Sequence, residues 1–120
     1  MSGDGGTARP GTPGARWLGA ADIGVAHLGE RATLVQFSTA FCQPCRATRG
    51  VLRQVTGMVP GVVHVEIDAE QHLDLVRSVG VVRTPTVLVL DAAGTVVRHA
   101  EGLPRAADVI GALGRALPPA

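Results

Sequence analysis

Ala32-Thr33-Leu34-Val35-Gln36-Phe37 runs through Ser38-Thr39-Ala40-Phe41 into Cys42-Gln43-Pro44-Cys45, and this stretch decides how the chain is read. The first six residues form a strand by their β-branched and apolar content. Beyond Pro44 a helix is predicted through Arg46, Thr48, Val51, Leu52 and Val55 to Gly57, with Ala47, Val51, Leu52 and Val55 at the 3-4 spacing of a buried stripe. Pro44 falls in the first turn, where proline costs no amide partner. The two cysteines are the only ones in the chain. Placed between the exit of a strand and the first turn of a helix, they read as a redox pair. Unpaired amides and a positive macrodipole at a helix N-terminus favour a thiolate over a thiol, which makes the outer residue, Cys42, the candidate nucleophile.

Asp22 can cap a short helix reaching about Leu28, although Gly24 lies inside it. Residues 62–67 read as a second strand, 70–78 as a helix stopped at Gly80, and 86–90 as a third strand. The turn Asp91-Ala92-Ala93-Gly94 leads to a hairpin partner at 95–99, and a last helix spans 108–117 before Pro118-Pro119. The order is α-β-α-β-α-β-β-α, an α/β chain in which strands separated by helices are expected to be parallel and the final hairpin antiparallel. Residues 1–15, rich in Gly and Pro and without periodicity, read as a tail or linker, and 16–120 as one domain.

Composition narrows the function classes. A 120-residue chain with 46% hydrophobic residues suits one globular domain, and with 2% aromatics its core must be built from Val, Leu, Ala and Ile. A formal net charge of +1 gives no pull toward nucleic acid. No apolar run approaches the ~20 residues of a membrane span, and the N-terminus lacks the apolar segment of a signal peptide. Cytoplasm is the default compartment, with an extracytoplasmic location the alternative for a domain behind an upstream anchor. His27, His72 and His99 have no metal-ligand spacing, and zinc at the cysteines would need a second ligand pair; no metal or other cofactor is expected. Trp17, the single Trp, reads as a core anchor or lid edge.

Over about residues 18–117 the chain resembles the thioredoxin family. The likeness rests on the strand at 34–37 leading to Cys42-Gln43-Pro44-Cys45, Val65-Glu66-Ile67-Asp68, Arg83-Thr84-Pro85-Thr86 before an apolar strand, and Glu101-Gly102 after the hairpin. The resemblance implies a thioredoxin fold: a central mixed sheet, parallel strands plus a C-terminal antiparallel hairpin, flanked by helices. It also implies a cis bond at Pro85, with the backbone of Thr84 free to pair with a client polypeptide as an added strand. Phe41, Gln43, Pro44, Thr84, Pro85 and Gly102 are the implied substrate-binding positions. Gly102 suits a close backbone approach or an ordinary turn. The chain departs from the family at Phe41 (usually Trp), at Gln43 (usually Gly), at His64 (usually Lys) and at Gln36 (usually a buried Asp).

The implied chemistry is protein thiol–disulfide exchange. Cys42 attacks a client disulfide, and Cys45 resolves the mixed disulfide. A free thiol titrates near ~8.5, and such motifs commonly bring it to about 7. Beside the helix N-terminus, Arg46 can contribute, whereas Arg49 and Arg53 read as a solvated face. Gln36 cannot take the Cys45 proton as the family's Asp is thought to do. His64, on the strand face of Glu66 and Asp68, either replaces that base in part or only hydrogen-bonds Gln36. No His stands between the cysteines, which favours a reductant serving disulfide-containing clients. Regeneration would come from an upstream reductase or a small thiol, and a monomer is expected. The alternative is a non-catalytic binding or redox-sensing module on the same fold.

Overall fold

Every position of the strand β1 (Ala32–Ser38) is buried, because it has a hydrogen-bonded neighbour on each side and a helical layer on each face. The computed structural model describes residues 17–117; the predicted tail at 1–15 and the Pro118-Pro119 stop lie outside them. After β1 come α1 (Gln43–Met58), β2 (Val62–Asp68), α2 (Leu73–Val79), β3 (Thr86–Asp91), β4 (Val96–Glu101) and α3 (Ala106–Ala116). Among the described residues the sheet has four strands in the order β2-β1-β3-β4.

β1 and β2 are parallel, with Gln36 opposite Glu66, and β3 and β4 form the expected antiparallel hairpin. The expectation that helix-separated strands are parallel fails at β3, which runs antiparallel to β1 with Thr86 beside Phe37 and Asp91 beside Ala32. The reason is the length of α2. Its 7 residues rise only ~10 Å, against roughly 20 Å for a strand of similar residue count. The helix therefore leaves the chain at the end of the sheet where β2 finished, and β3 starts back from there.

Strand alternation sorts the core onto the two faces of the sheet. On one face Leu34, Val62, Val87 and Val89 pack against Leu52 and Val55 of α1 and Val109, Ala112 and Leu113 of α3. On the other, Val35, Phe37, Ile67, Leu88 and Leu90 meet Leu18, Ile23, Val79 and Val81. The buried stripe of α1 is Cys45, Thr48, Leu52 and Val55; Ala47 faces outward and Val51 is half-buried. Thr48 is tolerated inside because its hydroxyl donates to the Pro44 carbonyl at 2.7 Å. Val63 is 41% exposed on β2, which is an edge strand of the described sheet.

The predicted helix from Asp22 to Leu28 is a single 3-10 turn, Ala20–Ile23, that ends at Gly24 in the left-handed region (φ 74°). Asp22 lies within it and accepts from the Gly19 amide at 2.7 Å. The core anchor here is Leu18, fully buried, rather than the part-exposed Trp17, which bridges to Thr95. The hairpin turn is organised by Asp91, whose Oδ1 accepts from the amides of Ala93 and Thr95 at 3.0 and 2.9 Å. Gly94 is required there: it has φ 94°, and a Cβ would collide with the Leu18 carbonyl.

Leu52→Ala is expected to destabilise the protein by about 2–5 kcal/mol, read as a lower urea midpoint at unchanged slope. Met58→Ala, at the exposed end of the same helix, should change stability by about 0.5 kcal/mol or less. Equal losses in the two variants would contradict this packing.

Candidate active site

Cys42 is the N-cap of α1, and Gln43, Pro44 and Cys45 form the first turn. Cys42 and Cys45 are joined as a disulfide, their Cα atoms 5.2 Å apart. The two sulfurs have unlike surroundings: Cys45 is 1% exposed, whereas Cys42 is partly open to solvent. The Cys45 amide donates to Cys42 Sγ at 3.1 Å. One of the orphan amides of the helix N-terminus thus already points at the outer sulfur, where developing negative charge would be stabilised.

Beneath the pair lies Gln36, 0% exposed on β1. Its Nε2 donates to the Cys45 carbonyl at 2.8 Å and to Ser38 Oγ at 2.9 Å. On its other side, Oε1 and His64 Nε2 are 3.0 Å apart. His64 therefore contacts the amide of Gln36, and Gln36 contacts the backbone of the inner cysteine. Next to them Arg49 makes a two-point ion pair with Glu66 at 2.6 and 2.8 Å, tying α1 to the edge strand β2. The reading of Arg49 as part of a solvated face is corrected by this pair, while Arg53 is exposed. The Arg49 hydrogen bonds, helped by one from Ser38, hold Glu66 below the usual carboxylate range. Burial pushes the His64 imidazole below its usual range, opposed by the Glu66 charge and reinforced by Arg53 and Arg49.

Two further loops meet the cysteine loop at this end of the sheet. Thr39 and Thr84 hydrogen-bond through their hydroxyls at 3.2 Å, and the Gly102 amide donates to the Pro85 carbonyl at 2.9 Å. The Thr84–Pro85 peptide bond is cis. Gly102 has φ 83° and open space where a Cβ would stand, so the turn itself calls for glycine. Phe41 has φ 60° and is 99% exposed, an apolar ring held outside the fold next to Cys42. Gln43 and Pro44 are exposed beside it. The structure thus gathers Phe41, Cys42, Gln43, Pro44, Thr84, Pro85 and Gly102 at one end of the sheet, with Cys45 and Gln36 beneath and His64 reaching them through Gln36.

A family model described as Thioredoxin matches residues 24–113. The chain belongs to the thioredoxin family. No curated protein matches it in sequence. Among solved structures it is similar to a mutant thioredoxin from Halobacterium salinarum NRC-1, with 21% identity, 96% of this chain and 99% of that chain covered, and TM-score 0.69. Chloroplastic thioredoxin z is similar at 27% identity, covering 72% and 78% of the two chains with TM-score 0.63. Oxidised mitochondrial thioredoxin 3 from Saccharomyces cerevisiae is similar at 17% identity, covering 72% and 79%, also with TM-score 0.63. Membership of the thioredoxin family and the Cys42–Cys45 pair together support thiol–disulfide oxidoreductase chemistry on protein disulfides. No helix among the described residues is long and apolar enough to cross a membrane.

In this thioredoxin-family protein the sequence reading missed an apolar cleft of ≈ 260 Å³ beside Thr84, lined in part by Leu73, Val76, Val81 and Val82. The signal was present in Val82, an apolar residue just before Arg83-Thr84-Pro85 that no strand or helix claims; it is 75% exposed. Ser38 and the Arg49–Glu66 pair were missed as well. Ser38 accepts from Gln36 two residues away on β1, whereas the ion pair depends on how α1 lies over β2, which spacing along the chain does not carry.

The depressed His64 value has a testable sign. The unfolded chain binds this proton more readily than the folded protein, so the group's contribution to stability is full above about pH 6.5 and is lost as pH falls toward the folded value. Glu66 acts in the same direction at lower pH, below about 4.3. Urea denaturation at about pH 7.5 and 5.5, on either side of the ordinary histidine value, should show a smaller acid loss for His64→Gln than for the wild type. An equal loss would remove His64 as the cause.

Proposed function

We propose that the protein is a protein-disulfide reductase that cycles Cys42 and Cys45 between dithiol and disulfide. The observation that carries this reading is the unlike setting of the two sulfurs: Cys42 is open and faces a helix amide at 3.1 Å, while Cys45 is buried beneath it. In the reduced protein the Cys42 thiolate attacks one sulfur of a client disulfide, forming a mixed disulfide and expelling the first client thiolate, which takes a proton from water. Cys45 then loses its proton and attacks Cys42 Sγ. The Cys42–Cys45 bond forms, and the second client thiolate leaves. The client gains two electrons and two protons, and the protein is left as its disulfide until an upstream reductase or small thiol reduces it.

Phe41, the backbone at Thr84 and the apolar cleft lined by Leu73 and Val82 supply a docking surface for an extended, partly apolar client segment. Neutral Gln43 and Pro44, with no His between the cysteines, support the reducing side. Arg46, exposed beside Cys45, adds a positive charge at the rim.

Equilibration of the full chain in graded thiol buffers is expected to give a reduction potential near about −270 mV, the range of a cytoplasmic-type reductant. A value of about −180 to −120 mV would make it an oxidant or isomerase of an extracytoplasmic setting instead. With a disulfide-bonded client, Cys45→Ser should accumulate a mixed disulfide and Cys42→Ser should not. No trapped species, together with no reduction by the wild type, would leave a non-catalytic binding or redox-sensing module.

A further inference from the structure

The hydrogen bonds under Cys45 leave little freedom of assignment. The Cys45 carbonyl can only accept, so the atom of Gln36 that faces it at 2.8 Å must be the amide nitrogen. The oxygen of Gln36 then faces His64 Nε2 at 3.0 Å, and because that oxygen can only accept, Nε2 must carry a proton. The chain of donors runs one way, from His64 through Gln36 to the backbone of the inner cysteine.

We infer that His64 is a positioning residue for the resolving step: its Nε2–H locks the buried Gln36 amide in the one orientation that anchors the carbonyl, and hence the turn, of Cys45. This inference rests on the oxidoreductase reading above and deepens it. When Cys42 is engaged with a client, the disulfide no longer holds the first turn of α1, and Cys45 Sγ must still lie within attack distance of Cys42 Sγ. Two donors hold that turn from outside the helix backbone ladder: Thr48 on the Pro44 carbonyl and Gln36 on the Cys45 carbonyl. Gln36 provides the rigid anchor, since β1 is buried along its whole length.

The lock does not need a particular protonation state. Nε2 donates both in this neutral tautomer and in the imidazolium, so acidification leaves the contact in place. The charged groups around the ring are Glu66 on its own strand and Arg49 and Arg53 on α1; β1 presents only the neutral Gln36. His64 thus acts through Gln36 without touching the reacting sulfurs, and proton removal from Cys45 is left to water.

Stopped-flow mixing of the reduced full-length protein with dithiobis-nitrobenzoate separates the two steps. The first nitrothiophenolate released reports attack by Cys42 and depends on concentration; the second reports Cys45 and does not. His64→Gln keeps an N–H donor and is expected to retain the second rate within about twofold, with the wild-type pH profile, whereas His64→Leu should slow that step by roughly ten- to a hundredfold. The first step should be unchanged in both. A normal second step in His64→Leu overturns the inference. So does a His64→Gln variant that loses the second step or an inflection in the histidine range, since His64 would then be acting as a base. Nitrogen NMR of the wild type gives a readout free of folding defects: the Nε2–H tautomer is expected at neutral pH, and the Nδ1–H tautomer overturns the inference. A wild type that releases only one nitrothiophenolate per chain, leaving a stable mixed disulfide, would instead overturn the oxidoreductase reading, and this inference with it.

Discussion

A primary amide buried in the central strand of a sheet has two protons and an oxygen to satisfy, and leaving any of them unpaired costs about 1–3 kcal/mol. Gln36 meets that demand with the Cys45 carbonyl, Ser38 and His64, and by doing so it ties three elements together at one point. β1 supplies the fixed base, α1 brings the inner cysteine, and β2 brings the histidine. The family's usual residue here is an acid, which would be either a buried charge or a proton donor. The amide carries no charge and gives up no proton. It exchanges a titrating group for a contact that has the same hydrogen-bonding requirement at every pH.

This point organises the rest of the active end. β1 and β2 finish side by side, with Gln36 opposite Glu66, and α1 meets both, through Cys45 and Arg49. The Arg49–Glu66 ion pair then holds the second turn of α1 to the sheet edge, while Leu52 and Val55 hold the later turns by burial. The short α2 returns the chain at the same end, which places Thr84 against Thr39 and Pro85 against Gly102. Phe41 is pushed outward in a left-handed conformation that costs an ordinary side chain about 1–2 kcal/mol. That cost falls where an exposed ring beside Cys42 can meet a client.

How much of this was legible depends on how local each feature is. β1, α1 and β3 are long runs whose periodicity is not interrupted, and they fall within a residue or two of where the pattern put them. The 3-10 turn near Asp22 was overestimated because Gly24 in a left-handed conformation ends it at once, which a capping pattern cannot outweigh. The direction of β3 was hidden because it follows from the length of α2 and the side on which the chain re-enters, not from any residue in β3. The cysteine pair and the loops at Thr84-Pro85 and Gly102 were legible as motifs. The contact of Gln36 with the Cys45 carbonyl was not, because it joins residues 9 apart in the chain through a strand-to-helix turn. Arg49 looked like its neighbour Arg53 on a helical projection. Only the neighbouring strand, with Glu66 at the right register, separates the two.

The electrostatics of the outer sulfur lead back to the same anchor. Arg46 is exposed, and the field of an exposed charge is screened over roughly 8 Å at physiological ionic strength. Arg49 is already spent on Glu66. A Cys42 thiolate is therefore left to short-range stabilisation from the Cys45 amide and the aligned dipoles behind it, which salt screens far less. Such stabilisation is sensitive to geometry, because a hydrogen bond to sulfur weakens steeply as the first turn of α1 tilts or frays. Proline at the second position stiffens that turn but contributes no amide of its own. The turn that carries this N–H is held by Thr48 on the Pro44 carbonyl and by Gln36 on the Cys45 carbonyl. The outer sulfur thus draws on the helix N-terminus itself, while the placement of the inner cysteine rests on the buried Gln36 amide and on the histidine that sets its orientation.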